Sequence, residues 1–456
     1  MAITLSRSMK KIWGPALIGL FLTTWPLQAE TLGDALISAY RSSDLLEQNR
    51  AVLRAADEDV AAAVATLRPV ISWMLQSQHS DQLLGTDNVN DLRLNFDWQL
   101  YDFGRGKLVK DIARESVLAT RQALIGVEQN VLLDAVRAYM DVRRALQTTA
   151  VNQTSVRVIG EQLKTAGDRF DLGEITRTDV AAAEARLAAA RAALAAAEGD
   201  LDVARATYKA AIGHMPDNGV TIPATPALPK TLEEAQSIAQ RLHPAIRQAQ
   251  HAAKVADFQV ELAAAERRPT LGANLRVQTD DDGETSGAGT LELSQTIYAG
   301  GTLASAHRKA IAGRDAARSA LSRAAIAITQ QVAVSWSGIE VSRAQISAID
   351  RQIDAAQAAY EGVREEASLG ERTTLDVLDA ERELLAARSD RVRAEADLQV
   401  ALYSLLSAMG LLTVEHLNLG IPTYDAEAYY NAVKSAPPTS VQGASLDRVL
   451  KALGKN

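Results

Sequence analysis

Leu92-Arg93-Leu94-Asn95-Phe96-Asp97-Trp98-Gln99-Leu100 alternates apolar and polar residues without a break. Side chains along a strand point to opposite faces in turn. The run therefore gives one face of Leu, Leu, Phe, Trp and Leu, and another of Arg, Asn, Asp and Gln. A strand with lipid on one side and water on the other needs that pattern. The run at 291–297 alternates too, with Glu292, Ser294 and Thr296 on its polar face. Each run has a predicted partner directly after an Arg-Pro pair, at 70–78 and 270–278. A two-sided soluble sandwich is a poor alternative, because only these strands are predicted and no globular core surrounds them. Trp73, Trp98, Tyr101, Phe103 and Tyr298 cluster near strand ends, where an interfacial aromatic belt would sit. The polar connections at 79–90 and 280–289 suit an exposed outer face. Asp280-Asp281-Asp282-Gly283 reads as a solvated acidic loop rather than a calcium loop. Leu291 stands where a calcium loop needs its bidentate acid.

Strands of about ten residues can cross a bilayer, but four of them cannot close a barrel, whose smallest outer-membrane form has about eight. An open edge in lipid leaves backbone groups unpaired at several kcal/mol each. Further copies of the chain must therefore complete the wall. Two copies give an eight-stranded barrel with a packed interior, and three give a twelve-stranded barrel wide enough to conduct.

The chain is an internal repeat. Thr31-Leu32 returns as Thr231-Leu232 and Arg68-Pro69 as Arg268-Pro269. At a spacing of 197, Tyr101 matches Tyr298, Gly104 matches Gly301, Gly173-Glu174 matches Gly370-Glu371, Asp179-Val180 matches Asp376-Val377, and Gly213 matches Gly410. Each half reads as helix, strand, strand, long helix, long helix. The predicted units are residues 30–215 and 231–412, joined by a proline-rich linker at 216–230 and followed by a C-terminal segment and flexible tail at 413–456. From Arg105 no proline occurs for some sixty residues, which is about 90 Å of helix. A helix that long must pack lengthwise against others. On the return helices one seam runs Val180, Leu187, Leu194, Leu201, Tyr208 and, in the second half, Val377, Leu384, Arg391, Leu398, Leu405. The seam three residues later is alanine throughout: Ala183, Ala190, Ala197, Ala204, Ala211 and Ala380, Ala387, Ala394, Ala401, Ala408. A large seam beside a small one lets antiparallel helices approach closely in a left-handed coiled-coil wall. The fold class expected is mainly α with a small β part.

Residues 1–29 read as a signal peptide: Arg7, Lys10 and Lys11 precede a short apolar run that is too short to span a membrane. The chain has no cysteine, its aromatic content is 4%, and its net charge of −8 argues against a nucleic-acid partner. No phosphate loop, dinucleotide fingerprint or nucleophile elbow is present. His79, His214, His243, His251, His307 and His416 are scattered without metal-ligand spacing. Catalysis, cofactors and metals are accordingly not expected. A periplasmic coiled-coil adaptor or scaffold would explain the helices but not the strands, and a diffusion porin would reverse the proportions of the two.

The chain resembles the TolC family of outer-membrane efflux and secretion proteins over nearly all of the segment after the signal. The carrying motifs are Leu369-Gly370-Glu371-Arg372-Thr373-Thr374-Leu375-Asp376-Val377-Leu378-Asp379-Ala380, its first-half counterpart Leu172-Gly173-Glu174-Ile175-Thr176-Arg177-Thr178-Asp179-Val180, and the junctions Tyr101-Asp102-Phe103-Gly104 and Ile297-Tyr298-Ala299-Gly300-Gly301. The resemblance implies a homotrimer, with a twelve-stranded barrel in the outer membrane above a periplasmic helical tunnel. It implies an exit duct of a tripartite efflux pump or a type I secretion system. Its partners would be a periplasmic adaptor (membrane fusion) protein and an inner-membrane pump or ABC exporter. By the same resemblance, Asp376 and Asp379 form the constriction of the entrance, as two stacked acidic rings. Arg372 would latch it against Thr178 and Asp179 of a neighbouring coil. Gly173, Gly370, Thr373 and Val377 belong to the tips. A helix begins just after each tip glycine, so Thr178 and Asp179, or Thr373 and Asp376, are also candidates to cap its free amides. The family pattern has a tyrosine as a further latch where this chain has Ala367. That leaves either a weaker lock or a substitute in Tyr360 or Phe170.

Overall fold

In the computed structural model the described residues are 30–82, 85–216, 219–435 and 448. The signal-peptide reading at 1–29 and nearly all of the tail from 436 lie outside them. The first half comprises α1 (Leu32–Ser42), α2 (Asp44–Ala65), β1 (Val70–Gln82), β2 (Gly85–Tyr101), α3 (Arg105–Asp171) and α4 (Arg177–Ile212). The second repeats it with α5 (Leu232–Leu242), α6 (Pro244–Ala265), β3 (Thr270–Asp280), β4 (Thr285–Ser294), α7 (Thr302–Ser368) and α8 (Thr374–Ala408), followed by α9 (Ala426–Val433). The opening helix of each half is in fact two. Ser43, itself in extended backbone, ends α1 and caps α2, and Pro244 stands at the first turn of α6, where its missing N–H breaks no bond.

α3 and α7 are each 67 residues long, about 100 Å, whereas α4 and α8 have 36 and 35. The short helices cover what the return helices leave bare: α3 packs on α4 towards one end and on α2 and α6 towards the other. Where α4 ends, Ser38 and Ser42 donate their hydroxyls to the Ile212 carbonyl at 3.0 and 2.9 Å, so α1 abuts its free C-terminus. The repeated glycines lie at these joints. Gly213 has φ 99° and a Cβ there would stand 2.7 Å from Ser42 Oγ; Gly410 has φ 80° and its Cβ would stand 2.8 Å from His243 Cα. Positive φ and close approach together require glycine. Burial pushes the His243 imidazole down to about 4, which keeps it neutral, and its Nδ1 accepts from Ala245 N–H to cap α6. The main core lies at this level, built from Leu36, Leu132, Tyr139, Tyr208, Leu405 and Met409 among others.

Along α4 and α8 no predicted seam residue is exposed. Ala183 and Ala387 are fully buried, as the close-packed seam requires. Arg391, the charged seam position, reaches across to α7, with Nε 2.6 Å from Asp350 Oδ1, and also meets Glu395 at 2.9 Å.

The four strands make one antiparallel sheet in the order β1-β2-β3-β4. Cross-strand register sets Ile71 opposite Phe96, Trp73 opposite Leu94, Leu94 opposite Val277, Phe96 opposite Leu275, and Ala273 opposite Leu291. One face is thus apolar from edge to edge, with Trp73 72% and Leu293 66% exposed. On the other face Asn274 donates to Asp97, and Arg276 Nε donates to Asn95 at 3.2 Å. The strand boundaries need correction, and β1 runs on to Gln82, past its expected end at 78. Strand β2 starts at Gly85, inside the region read as a loop over 79–90, and β4 spans Thr285–Ser294, starting inside the second loop and ending before Ile297. Pairing continues past the apolar segment because ladder hydrogen bonds join backbone groups, whatever the side chains. The acidic run closes a short hairpin, in which Asp280 Oδ1 accepts from Glu284 N–H at 2.8 Å.

Candidate functional site

Each long hairpin turns through a tip of the same construction. Leu172 caps the end of α3, and Gly173 follows in the left-handed region with φ 77°; Leu369 caps the end of α7, and Gly370 follows with φ 84°. Glu174 N–H returns to the Arg169 carbonyl at 2.9 Å and Glu371 N–H to that of Glu366 at 3.0 Å, closing the last helical turn. The next helix opens with a capping box. Thr373 Oγ1 accepts from Asp376 N–H at 3.2 Å, while Asp376 Oδ2 accepts from Thr373 N–H at 3.0 Å and from its hydroxyl at 2.9 Å. Thr176 and Asp179 repeat this at 3.3, 2.9 and 2.8 Å. The cap of α4 is therefore Thr176, and Thr178 lies exposed inside the first turn. The Thr-x-x-Asp spacing was in the sequence and carries this assignment.

These bonds set the electrostatics. The hydrogen bond from Thr373 N–H, then that from its hydroxyl, holds the Asp376 carboxyl below the usual carboxylate range, and nearby Arg372 adds to the effect. Thr176 does the same for Asp179. Arg372 Nε donates to Glu366 at 2.9 Å, and this bond first, then the charge of Glu366, raises the guanidinium's affinity for its proton. At the other tip Arg169 pairs with Glu174 at 3.0 Å. Val377, 3% exposed, anchors the start of α8 in the coil. Asp379 lies one turn beyond Asp376, and its Oδ1 is 2.6 Å from Arg186 Nη2 on α4. Within one chain the structure thus brings Asp376 to Thr373, Asp379 to Arg186, and Arg372 to Glu366. Arg186 and Glu366 carry no local motif and were not singled out from the sequence. Neither was Glu381, which is 4% exposed and whose carboxyl is pushed up to about 7 by burial, Arg157 opposing and Glu161 adding to the shift.

At the opposite end, the sheet leads into α3 through Asp102, whose Oδ1 accepts from Gly104 N–H at 2.9 Å. Tyr101 and Phe103 meet edge to face at 4.6 Å, and Trp98 donates to the Leu67 carbonyl at 3.3 Å. Among the described residues no helix is long and apolar enough to cross a membrane. The sheet, apolar on one face and polar on the other, is the element built to do so.

A membrane sheet carried on paired helical hairpins defines an outer-membrane channel subunit. The profile of the outer membrane efflux protein family matches residues 37–214 and 236–411, and the chain belongs to that family. It is 34% identical over 445 residues to the outer membrane efflux protein BepC of Brucella suis, covering 95% of this chain and 97% of BepC. With the outer membrane protein TolC of Escherichia coli it shares 24% identity, over 96% and 94% of the two chains. The crystal structure of VceC from Vibrio cholerae superposes with a TM-score of 0.72 at 19% identity, over 83% of this chain and 96% of that one, which establishes the same fold. The protein is an outer-membrane exit duct of the efflux and secretion kind, with its helical hairpins in the periplasm.

Proposed function

We propose that three copies of this chain close one barrel and conduct cargo from a periplasm-spanning complex to the exterior, with the hairpin tips as the entrance. The observation that carries this is the sheet. Its apolar face is continuous across all four strands, yet among the described residues β1 and β4 have no outer strand partner. Free edges in hydrocarbon are too costly to persist, so each is paired with a neighbouring copy. In such an assembly the aspartates of three α8 helices converge, and Asp376 and Asp379 form the acidic entrance that favours cations. Arg372 uses Nε for Glu366 within its own chain. A guanidinium has further donors, which here serve the latch to Thr178 and Asp179 of an adjacent copy. A periplasmic adaptor and an inner-membrane pump or ABC exporter would deliver the cargo at these tips. Names of the relatives support both routes, since the matches include an efflux protein and an alkaline protease secretion protein.

Single-channel recording in planar bilayers tests the reading. The purified oligomer is expected to give small, cation-selective openings whose selectivity falls in Asp376→Ala/Asp379→Ala. A correctly assembled oligomer that stays silent even as the double variant would exclude a conducting duct.

A further inference from the structure

The repeat separates what every tip needs from what only one tip has. Thr373 and Asp376 match Thr176 and Asp179 at the 197-residue spacing, and all four are engaged in helix capping. Asp379, by contrast, matches Ala182, and Arg186 matches Glu383. Both residues differ from their repeat counterparts, and they meet, 2.6 Å apart, across the first and second hairpins. Capping does not require them, and neither coil seam contains them. The pair is also open to water, with Arg186 33% and Asp379 53% exposed, so its charges act on the solution beside it.

We infer that Arg186 is a specificity-determining residue of the duct: it ties α4 to α8 and offsets the charge that Asp379 presents at the entrance. The inference rests on the reading of the tips as that entrance. Asp376 carries a carboxylate whose charged form its cap favours. Asp379 contributes only as far as Arg186 leaves it uncompensated, which makes the guanidinium the adjustable element of the acidic ring. An arginine suits this, because it stays charged at any working pH and fixes a carboxylate through a directed hydrogen bond. Since ions screen a partly exposed pair, its effect on permeation is greater in dilute salt than at high ionic strength.

The test is the reversal potential of the reconstituted full-length oligomer in a KCl gradient, which gives the cation-to-anion permeability ratio. Arg186→Gln is expected to raise that ratio about twofold or more at low salt, and by less near 1 M. Arg186→Lys keeps the charge and should stay near the parent. In Arg186→Gln/Asp379→Asn both charges are gone, and the ratio should return towards the parental value, an outcome that simple loosening of the helices would not produce. An Arg186→Gln ratio equal to the parent's, while Asp379→Asn alone lowers it, overturns the role of Arg186 and leaves the entrance in place. If Asp376→Asn/Asp379→Asn also leaves the ratio unchanged, the entrance reading falls and takes this inference with it.

Discussion

Asp376 caps α8 with the same carboxylate that carries the proposed entrance charge. Its carboxylate closes the N-terminal turn of α8 by taking both the amide and the hydroxyl of Thr373, and those same bonds keep it ionised. The capping role and the proposed entrance role are therefore compatible, because the cap favours the charged form. Thr373→Ala removes the hydroxyl from both sides of this exchange. It should cost about 1 kcal/mol, seen as faster amide exchange over the first turn of α8 with the rest of the helix unchanged. The α8 cap of Thr373 and Asp376 was legible in the sequence, whereas at α4 Thr178 was expected and Thr176 is the cap. The partners of Arg372 and Asp379 were not legible, because Glu366 lies across a turn and Arg186 is 193 residues away.

Helical periodicity accounts for α4 and α8 nearly residue by residue, but the surroundings of one position escape it. Glu381 follows the seam alanine Ala380, and its burial comes from α3, which packs against α8 from the other hairpin. The charged groups facing it from α3 are Arg157 and Glu161, which pair with each other at 3.1 Å. On α8 itself Asp379 is engaged by Arg186 from α4, and the antiparallel register set by Arg391 and Asp350 brings Tyr360, Glu361 and Arg364 of α7 to the same level. Because its folded-state pKa is raised to about 7, the buried neutral carboxyl stabilises fully below the unfolded value near 4.5. That contribution is lost as pH rises through about 7. Between pH 5 and 8 the loss should amount to about 2–3 kcal/mol per chain. Thermal melting across that range should show it, and Glu381→Gln should flatten the profile and raise the melting temperature at pH 8. A parallel decline in both proteins would assign the pH response elsewhere.

The whole molecule is organised by the contrast between lipid and water. Helices of about 100 Å cannot form a globule, and four strands cannot form a barrel, so one chain is a segment of a wall rather than a finished object. The outward apolar face at Leu291 and Leu293 is exposed in the single chain, as a lipid-facing surface must be. Leu293→Arg places a charge on that face and should cost about 2–4 kcal/mol if the position lies near mid-membrane, less near the interface. Less assembled protein in the outer-membrane fraction, with near-normal helical circular dichroism, is the expected outcome. Full assembly would mean that this face is not turned to lipid.

Local chemistry and periodicity determined much of this by themselves. The alternation at 92–100 set the two faces of the sheet, the repeat set the duplicated unit, and the alanine seams set the packed face of the return helices. Each is a property of neighbours within a few residues, where chain geometry leaves few options. Tertiary structure decided the rest. It split each opening helix in two, extended β2 back to Gly85, placed Gly213 and Gly410 against the short helices, and joined Arg186 to Asp379. Those outcomes depend on which distant segments come to lie side by side, and no local periodicity encodes that.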